Sequence, residues 1–464
     1  IKEDKSPVSN GDLRVNDLQI YPFLRIPLYY QLSSLIGEFS SFVISSRSKI
    51  QLINYIIRAF QLSYINYQKL KFTINPQILF AGTERIDPVL KKNIYLSHIM
   101  ENIQYNYLVM QSCDNSIKDY TGDSLSIFDS PLKIKTALYK RFIFGNLKKN
   151  IFEMSYQLAQ SFDKYFKTKL NLEKFIVKYV KHSIMETFVA REFLKKVNPN
   201  VFIVQNSYSN SHLVCAAKKL SIPVIELQHS LIYNHHLGYS YPNCEPESID
   251  IFPDYFFTFG DYWNNRASYP IKKENIISVG FPHFNYSKKV NTTVEENNFN
   301  KAKSILIISQ NTTGRKLFEL AKVLSRKLND YTIFFKLHPK QYDYYEKNQV
   351  ALPGNMKVIN RNSYTLYQLF SLCTFQVGVF STAIYEGLSM GIKTIIYKTS
   401  GYEFMSDLIE RDFARLASNV DEIIEYIENN QFKESGKNIF FKSLAVENIK
   451  SEVDKILSAN KVNT

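Results

Sequence analysis

The stretch that most constrains this chain is residues 375–397, FQVGVFSTAIYEGLSMGIKTIIY. An apolar run built on Phe375, Val377 and Val379 gives way to Ser381-Thr382. A helical pattern then carries Glu386, Gly391 closes it, and a second apolar run fills 394–397. Strand, polar turn, helix and strand make a βαβ unit, which requires a parallel sheet. The hydroxyls of Ser381 and Thr382, with the free N–H groups of the helix they open, face whatever lies beyond the strand's carboxyl end. A helix N-terminus is partly positive, so an anion such as phosphate suits it. Glu386, one turn on, is where a carboxylate can accept hydrogen bonds from a ribose. An ordinary capped helix with a solvated Glu gives the same letters.

A second element sharpens this. Residues 332–340 read TIFFKLHPK, a buried strand stopped by Pro339 that leaves Lys336 and His338 near its carboxyl end. In an open parallel sheet ligands bind at that edge. Around these two elements strands and helices alternate. Apolar runs at 77–81, 107–111, 201–205, 224–227, 255–259 and 276–279 form one series, and those at 304–308, 332–337, 356–359, 375–380 and 393–397 a second. The order predicts an α/β chain with two doubly wound sheets. Residues 133–196, with little punctuation, predict two or three extra helices in the first half. The polar stretch 282–300 is expected to link the halves, dividing the chain into 1–285 and 300–445 with a final helical segment at 446–464.

Several polar residues follow strand ends in the first half. Glu84 and Asp87 come after the strand at 77–81, as active-site carboxylates or as caps of the next helix. His229, in Gln228-His229-Ser230, follows the strand at 224–227. A neutral imidazole there can take the proton of an attacking hydroxyl, or it can be a loop His satisfied by its neighbours. In the second half, Ser309-Gln310-Asn311-Thr312-Thr313-Gly314-Arg315 follows the strand at 304–308. It reads either as a phosphate-side loop using Arg315 or as an ordinary βα loop, and its spacing is not that of a P-loop. His235-His236 would point apart and lack partners, so no metal site is expected.

The Lys-x-His-Pro turn at 336–339 and the Ser-Thr turn at 381–382 with Glu386 behind it resemble the donor-binding half of GT-B glycosyltransferases. The likeness is nearest to bacterial enzymes of capsule and lipopolysaccharide synthesis, including CMP-sialic acid and CMP-Kdo transferases. That resemblance implies two Rossmann-like αβα domains facing a central cleft, with acceptor in the first and nucleotide sugar in the second. His338, Pro339, Ser381 and Thr382 would hold the nucleotide phosphate, Glu386 the ribose, and Ser363 or Tyr364 would line the base. It also implies that the last helices, 420–429 and 446–459, cross back to the first domain. The acidic motif supplying the base in several sialyltransferases is not evident, so His229 is the first candidate for base. The implied reaction is an inverting, metal-independent transfer without a cofactor, the nucleotide sugar being a substrate. A CMP-activated acidic sugar is favoured over a UDP or GDP hexose. A UDP-sugar 2-epimerase, a CDP-polyol phosphotransferase and a noncatalytic binding module remain alternatives.

The formal charge of +14 asks for an anionic partner. No helix-turn-helix, zinc-finger or RNP-type pattern is present, which disfavours nucleic acid. Lysines spread along the apolar helices of 140–169 suit an anionic lipid surface, or simply a solvated face. Cys113, Cys215, Cys244 and Cys373 show no CxxC spacing and read as reduced residues of a cytoplasmic protein. No apolar run reaches about 18 residues. The chain opens on Ile1, so its natural amino terminus is expected to lie upstream.

Overall fold

The computed structural model describes residues 14–15, 17–35, 57–58, 60–62, 64, 75–82, 85–87, 90, 92–111, 126–139, 146–167, 169–295, 303–347, 351–360, 363–430, 432 and 439–462. A two-residue ribbon, β1 (Arg14–Val15) with β2 (Leu18–Gln19), leads into α1 (Tyr21–Leu35). The first sheet then takes β3 (Ile78–Ala81), β4 (Tyr107–Gln111), β5 (Ser126–Phe128), β6 (Val201–Val204), β7 (Val224–Leu227), β8 (Tyr255–Thr258) and β9 (Ile276–Ser278). Its order is β5-β4-β3-β6-β7-β8-β9, every pair parallel. The second takes β10 (Ser304–Ile308), β11 (Thr332–Lys336), β12 (Met356–Ile359), β13 (Phe375–Gly378), β14 (Lys393–Tyr397) and β15 (Arg415–Ala417), ordered β12-β11-β10-β13-β14-β15 and again all parallel.

Each sheet therefore runs outward from its first strand and then reverses. The switch lies between β3 and β6 in one domain and between β10 and β13 in the other. This doubly wound order, occurring twice, is the GT-B plan of two Rossmann-like domains. Helices cover both faces of each sheet, so strands such as VFIV and SILII are apolar throughout and wholly buried.

Between β5 and β6 stand α3 (Ser130–Tyr139), α4 (Asn146–Phe166) and α5 (Glu173–Val197), the helical addition to the first domain; a short α2 (Ser97–Met100) precedes β4. At the end of α5, Asn198 adopts the left-handed conformation and its N–H returns to the Leu194 carbonyl, before Pro199 prevents continuation. No described helix is long and apolar enough to cross a membrane.

The stretch 282–300, expected to be a linker, is instead helical up to Glu295. This is α7 (Pro282–Glu295), after α6 (Ser211–Lys218). Its polar composition hides buried His283, Phe284 and Ser287, while Pro282 starts it in the first turn, where an N–H has no partner within the helix. The chain leaves the second domain at Ile439 and runs into the last helix, Ala445–Val462, which lies on the first domain. There Asn448 Nδ2 donates to the Val279 carbonyl at 2.9 Å, Asn460 Nδ2 to that of Asn200 at 3.0 Å, and the Tyr105 hydroxyl to Asp454.

The returning segment is seated tightly. The Trp263 indole donates to the Phe440 carbonyl at 2.8 Å, and Lys442 N–H to the Phe259 carbonyl at 2.7 Å. Gly280 has φ +104°, and a Cβ there would stand 2.4 Å from the Lys442 carbonyl oxygen, so only glycine fits. Phe440 also packs on Tyr262, Tyr385 and Phe413. One apolar cluster consequently runs from Leu24 through Phe256 and Phe440 to Tyr385 and Leu306. Phe440→Ala is expected to cost about 3–5 kcal/mol of stability, the usual range for deleting a buried aromatic ring. Urea unfolding followed by the fluorescence of Trp263, the single Trp, measures it; a cost under about 1 kcal/mol would show that the joint is not held as described.

Candidate active site in the interdomain cleft

The polar residues of interest rise from carboxyl ends of strands in both sheets. In the first domain β3 leads to Arg85 and Asp87, β6 to Asn206 and Tyr208, and β7 to His229. In the second, β10 leads to Ser309, β11 to His338, and β13 to Ser381. Glu84 lies outside the described residues.

Arg85 is central. The residue is exposed while its guanidinium is partly desolvated, and its Nη1 lies 3.4 Å from the Tyr95 hydroxyl, which itself donates to the His229 carbonyl at 2.5 Å. Its positive charge acts on His229 and His283 of the first domain, and on His338 and Glu386 of the second. A guanidinium whose charge reaches ionisable groups of both domains lies where the carboxyl ends of the two sheets face each other.

Asp87 splits its oxygens between two tasks. Oδ1 accepts the Leu90 N–H at 2.7 Å, a local cap, and Oδ2 lies 3.5 Å from His283 Nε2. His283 Nδ1 is in turn 3.4 Å from His98 Nε2. Burial keeps both rings neutral, lowering His283 to about 4 and His98 below its usual range. The His283 ring meets Tyr367 edge-on, and the Tyr367 hydroxyl donates to Glu386 Oε2 at 2.5 Å. Glu386 belongs to α11 (Thr382–Ser389), which follows α9 (Tyr342–Lys347) and α10 (Leu366–Leu372). Burial raises its carboxyl above the ordinary range, while Tyr367 and Arg85 oppose that rise. Of the two readings of Glu386, the solvated one does not hold, since the carboxyl group is buried against Tyr367.

His229 lies beneath this surface, with side-chain exposure of 11%. Its Nε2 is 3.3 Å from both Asn206 Nδ2 and the Tyr208 hydroxyl, and its Nδ1 is 3.1 Å from the Tyr239 hydroxyl. Desolvation lowers it to about 3, so the ring is neutral at physiological pH. His236 is likewise lowered to about 4 by burial, and His235 is exposed. Among the described residues, no group of three or more His, Cys, Asp and Glu side chains could hold a metal ion.

In the second domain, Ser381 caps α11 by accepting the Ala383 N–H at 3.2 Å, and Thr382 begins the helix. The His338-Pro339 turn is built as a box: His338 Nδ1 accepts the Lys340 N–H at 3.3 Å, and Gln341 Oε1 accepts the His338 N–H at 2.9 Å. Because Nδ1 is an acceptor, the neutral ring carries its proton on Nε2, a donor that an anion can use. Gln341 also accepts from Ser309 Oγ at 2.8 Å and donates to the Gln310 carbonyl at 3.3 Å, tying the two loops together. Gly314 opens α8 (Gly314–Lys327), and a Cβ there would meet Gln341 Nε2 at 1.9 Å.

Lys336, partly buried, donates to the Asn360 carbonyl at 3.2 Å, and burial lowers its ammonium to about 8. Arg315 is exposed on the first turn of α8, and no described contact joins it to the cleft cluster. The cleft therefore gathers His229, Asp87, Glu386 and His338 around Arg85, with Lys336 and Ser381 on neighbouring strand ends and Arg315 apart.

Sequence reasoning passed over Arg85, Glu226, Tyr239, His283 and Tyr367. Glu226 alone carried a plain signal, a carboxylate inside the buried strand VIEL. His283 was concealed because its segment read as a linker.

No family model matches this chain, and no curated protein does. Among solved structures it is similar to the UDP-GlcNAc 2-epimerase of Methanocaldococcus jannaschii in complex with UDP-GlcNAc and UDP, at 15% identity over 82% of this chain and 99% of that chain, TM-score 0.47. The UDP-GlcNAc 2-epimerase of Neisseria meningitidis bound to UDP-GlcNAc is similar at 13% identity over 83% and 99%, TM-score 0.46. The spinosyn rhamnosyltransferase SpnG is similar at 9% identity over 82% and 96%, TM-score 0.44.

Proposed function

We propose that this chain is an enzyme acting on nucleotide sugars, an inverting and metal-independent glycosyltransferase working in the cleft between its two domains. The observation that carries this reading is Arg85, a cation within electrostatic reach of His229 on one side and of His338 and Glu386 on the other. The donor phosphate would sit at the Ser381 helix N-terminus, with His338 Nε2–H, Lys336 and Arg85 around it. The acceptor hydroxyl would approach from the His229 side. Its oxygen attacks the anomeric carbon, the bond from that carbon to the phosphate oxygen breaks, and the electron pair leaves with the nucleotide. The acceptor proton passes to a ring nitrogen of His229, and the charge on the leaving phosphate is met by donors already in position.

The favoured donor is a CMP-activated acidic sugar, by the likeness of the His-Pro and Ser-Thr turns. The acceptor is read as a bacterial surface glycan, free or lipid-linked, made on the cytoplasmic side; the +14 charge would favour contact with an anionic membrane. One observation favours a second reading, a UDP-sugar 2-epimerase. Asp87 and Glu386 come from opposite domains and are joined through His283 and Tyr367, so two carboxyl groups flank one cleft.

A thermal-shift panel of CMP, CDP, UDP and GDP, each with and without EDTA, tests the reading. Selective stabilisation by CMP, indifferent to EDTA, is expected, since a ligand that binds only the folded chain raises its melting temperature. Selective UDP stabilisation together with epimer formation would give the place to the second reading, and no shift with any nucleotide would reject both. Arg85→Ala should abolish the nucleotide shift and lower transfer by about 10²-fold or more, the scale of losing one preorganised charge donor. The pH dependence follows from Lys336, which loses its charge as pH rises through about 8. Nucleotide affinity should then fall above pH 8 by up to about tenfold per unit. Lys336→Arg, which stays charged, should flatten that fall; an unchanged slope in titration calorimetry would remove Lys336 from the phosphate site.

A further inference from the structure

Behind His229 stands a directional chain of hydrogen bonds that the transfer reaction does not by itself require. The Ser209 N–H donates to Asn206 Oδ1 at 2.9 Å, which fixes that amide's orientation and turns its Nδ2 donor toward His229 Nε2. A donor facing Nε2 makes that nitrogen the acceptor, so the ring's proton sits on Nδ1. Nδ1 faces the Tyr239 oxygen, and the Tyr239 O–H donates to Glu226 Oε1 at 2.6 Å. Glu226 and Tyr239 are fully buried, and Glu226 Oε1 is 3.8 Å from His229 Nδ1.

We propose that Glu226, acting through Tyr239, is a positioning residue that locks His229 in the Nδ1–H form and so leaves the Nε2 lone pair as the proton-accepting position of the cleft. This rests on the reading of His229 as the base and names the device that prepares it. In the step itself the acceptor O–H takes the place of the Asn206 and Tyr208 donors on Nε2 and passes its proton there, Nδ1–H stays on the Tyr239 oxygen, and Tyr239 keeps its proton toward Glu226. No second proton moves, and the imidazolium is offset by the nearby carboxyl group when that group is ionised.

The surroundings agree with this assignment. Burial raises Glu226 to about 7, against the lowering effect of hydrogen bonds from Ser207 and Tyr239. Burial also raises Tyr208 and Tyr239, so neither phenol ionises near neutrality. Arg85, the nearby cation, opposes its protonation, as would His236 if it were charged, while the Gln205 backbone favours it. Stabilising a transient positive charge among such neighbours falls to Glu226, the buried carboxyl group nearest the ring in this network. Further ionisable neighbours are Tyr269 near Glu226, Arg25 near His236, Tyr30 near Tyr208, and Tyr95, whose hydroxyl donates to the His229 carbonyl.

The test is histidine nitrogen NMR on the full chain labelled with ¹⁵N-histidine and free of substrate, with His229 assigned by its loss in His229→Gln. Expected is a neutral His229 protonated on Nδ1 from pH 6 to 8. Tyr239→Phe should release it into a mixture of tautomers, whereas Glu226→Gln, which keeps an acceptor for the Tyr239 hydroxyl, should retain it. A ring protonated on Nε2 in the unaltered chain, or an unchanged spectrum in a folded Tyr239→Phe variant, would overturn the proposal. Should Tyr239→Phe fail to fold, the tautomer of the unaltered chain decides alone. In a transfer assay, Glu226→Gln should lower kcat at unchanged KM and remove the rise of rate through about pH 7. A locked Nδ1–H ring in a chain whose His229→Gln variant transfers at full rate would uphold the lock and reject His229 as base.

Discussion

The cleft exists because the returning chain at 439–445 is bound to the first domain. The Trp263 indole on the Phe440 carbonyl and the Lys442 amide on Phe259 hold that segment against β8 and β9. Asp407 adds a polar clasp, accepting the Tyr262 hydroxyl at 2.7 Å and pairing with Arg266 at 2.9 Å. Two sheets that share no strand are thereby set with their carboxyl edges toward one volume. That joint, together with the direct contacts of His283 and Phe284 on Tyr367, fixes Arg85 and Glu386 relative to each other although they arise from different domains.

Burial at this joint governs the chemistry as well as the packing. Four histidines near the cleft, His98, His229, His236 and His283, are each pushed below their ordinary range by desolvation, so they enter as neutral donors and acceptors. Positive charge is left to Arg85, an exposed residue, and to the partly buried Lys336. Neutral rings inside, with a guanidinium at the centre, let an anion gather charge contacts without competition from nearby imidazolium groups.

The doubly wound architecture was legible because the strands are buried on both faces and therefore read as unbroken apolar runs closed by turn residues. The Ser381 and His338 turns were legible for the same reason, each standing where such a run stops. What the letters hid depends on other parts of the chain. Residues 282–295 look like a polar linker, yet the helix is held by burying Phe284 and His283 against Tyr367, some eighty positions away. Arg85 draws its meaning from the second domain, and Glu226 from a tyrosine on a loop. Sequence spacing describes neighbours along a strand, whereas these residues are defined by neighbours across a cleft.

The Gln341 side chain has a consequence for how this protein can change over generations. It lies where any side chain at position 314 would begin, while holding Ser309, Gln310 and His338 together. Alanine at 314 would push the Gln341 amide aside and so loosen the His338 turn that it holds. The two positions are thus coupled, and a change at one alters what the other can be.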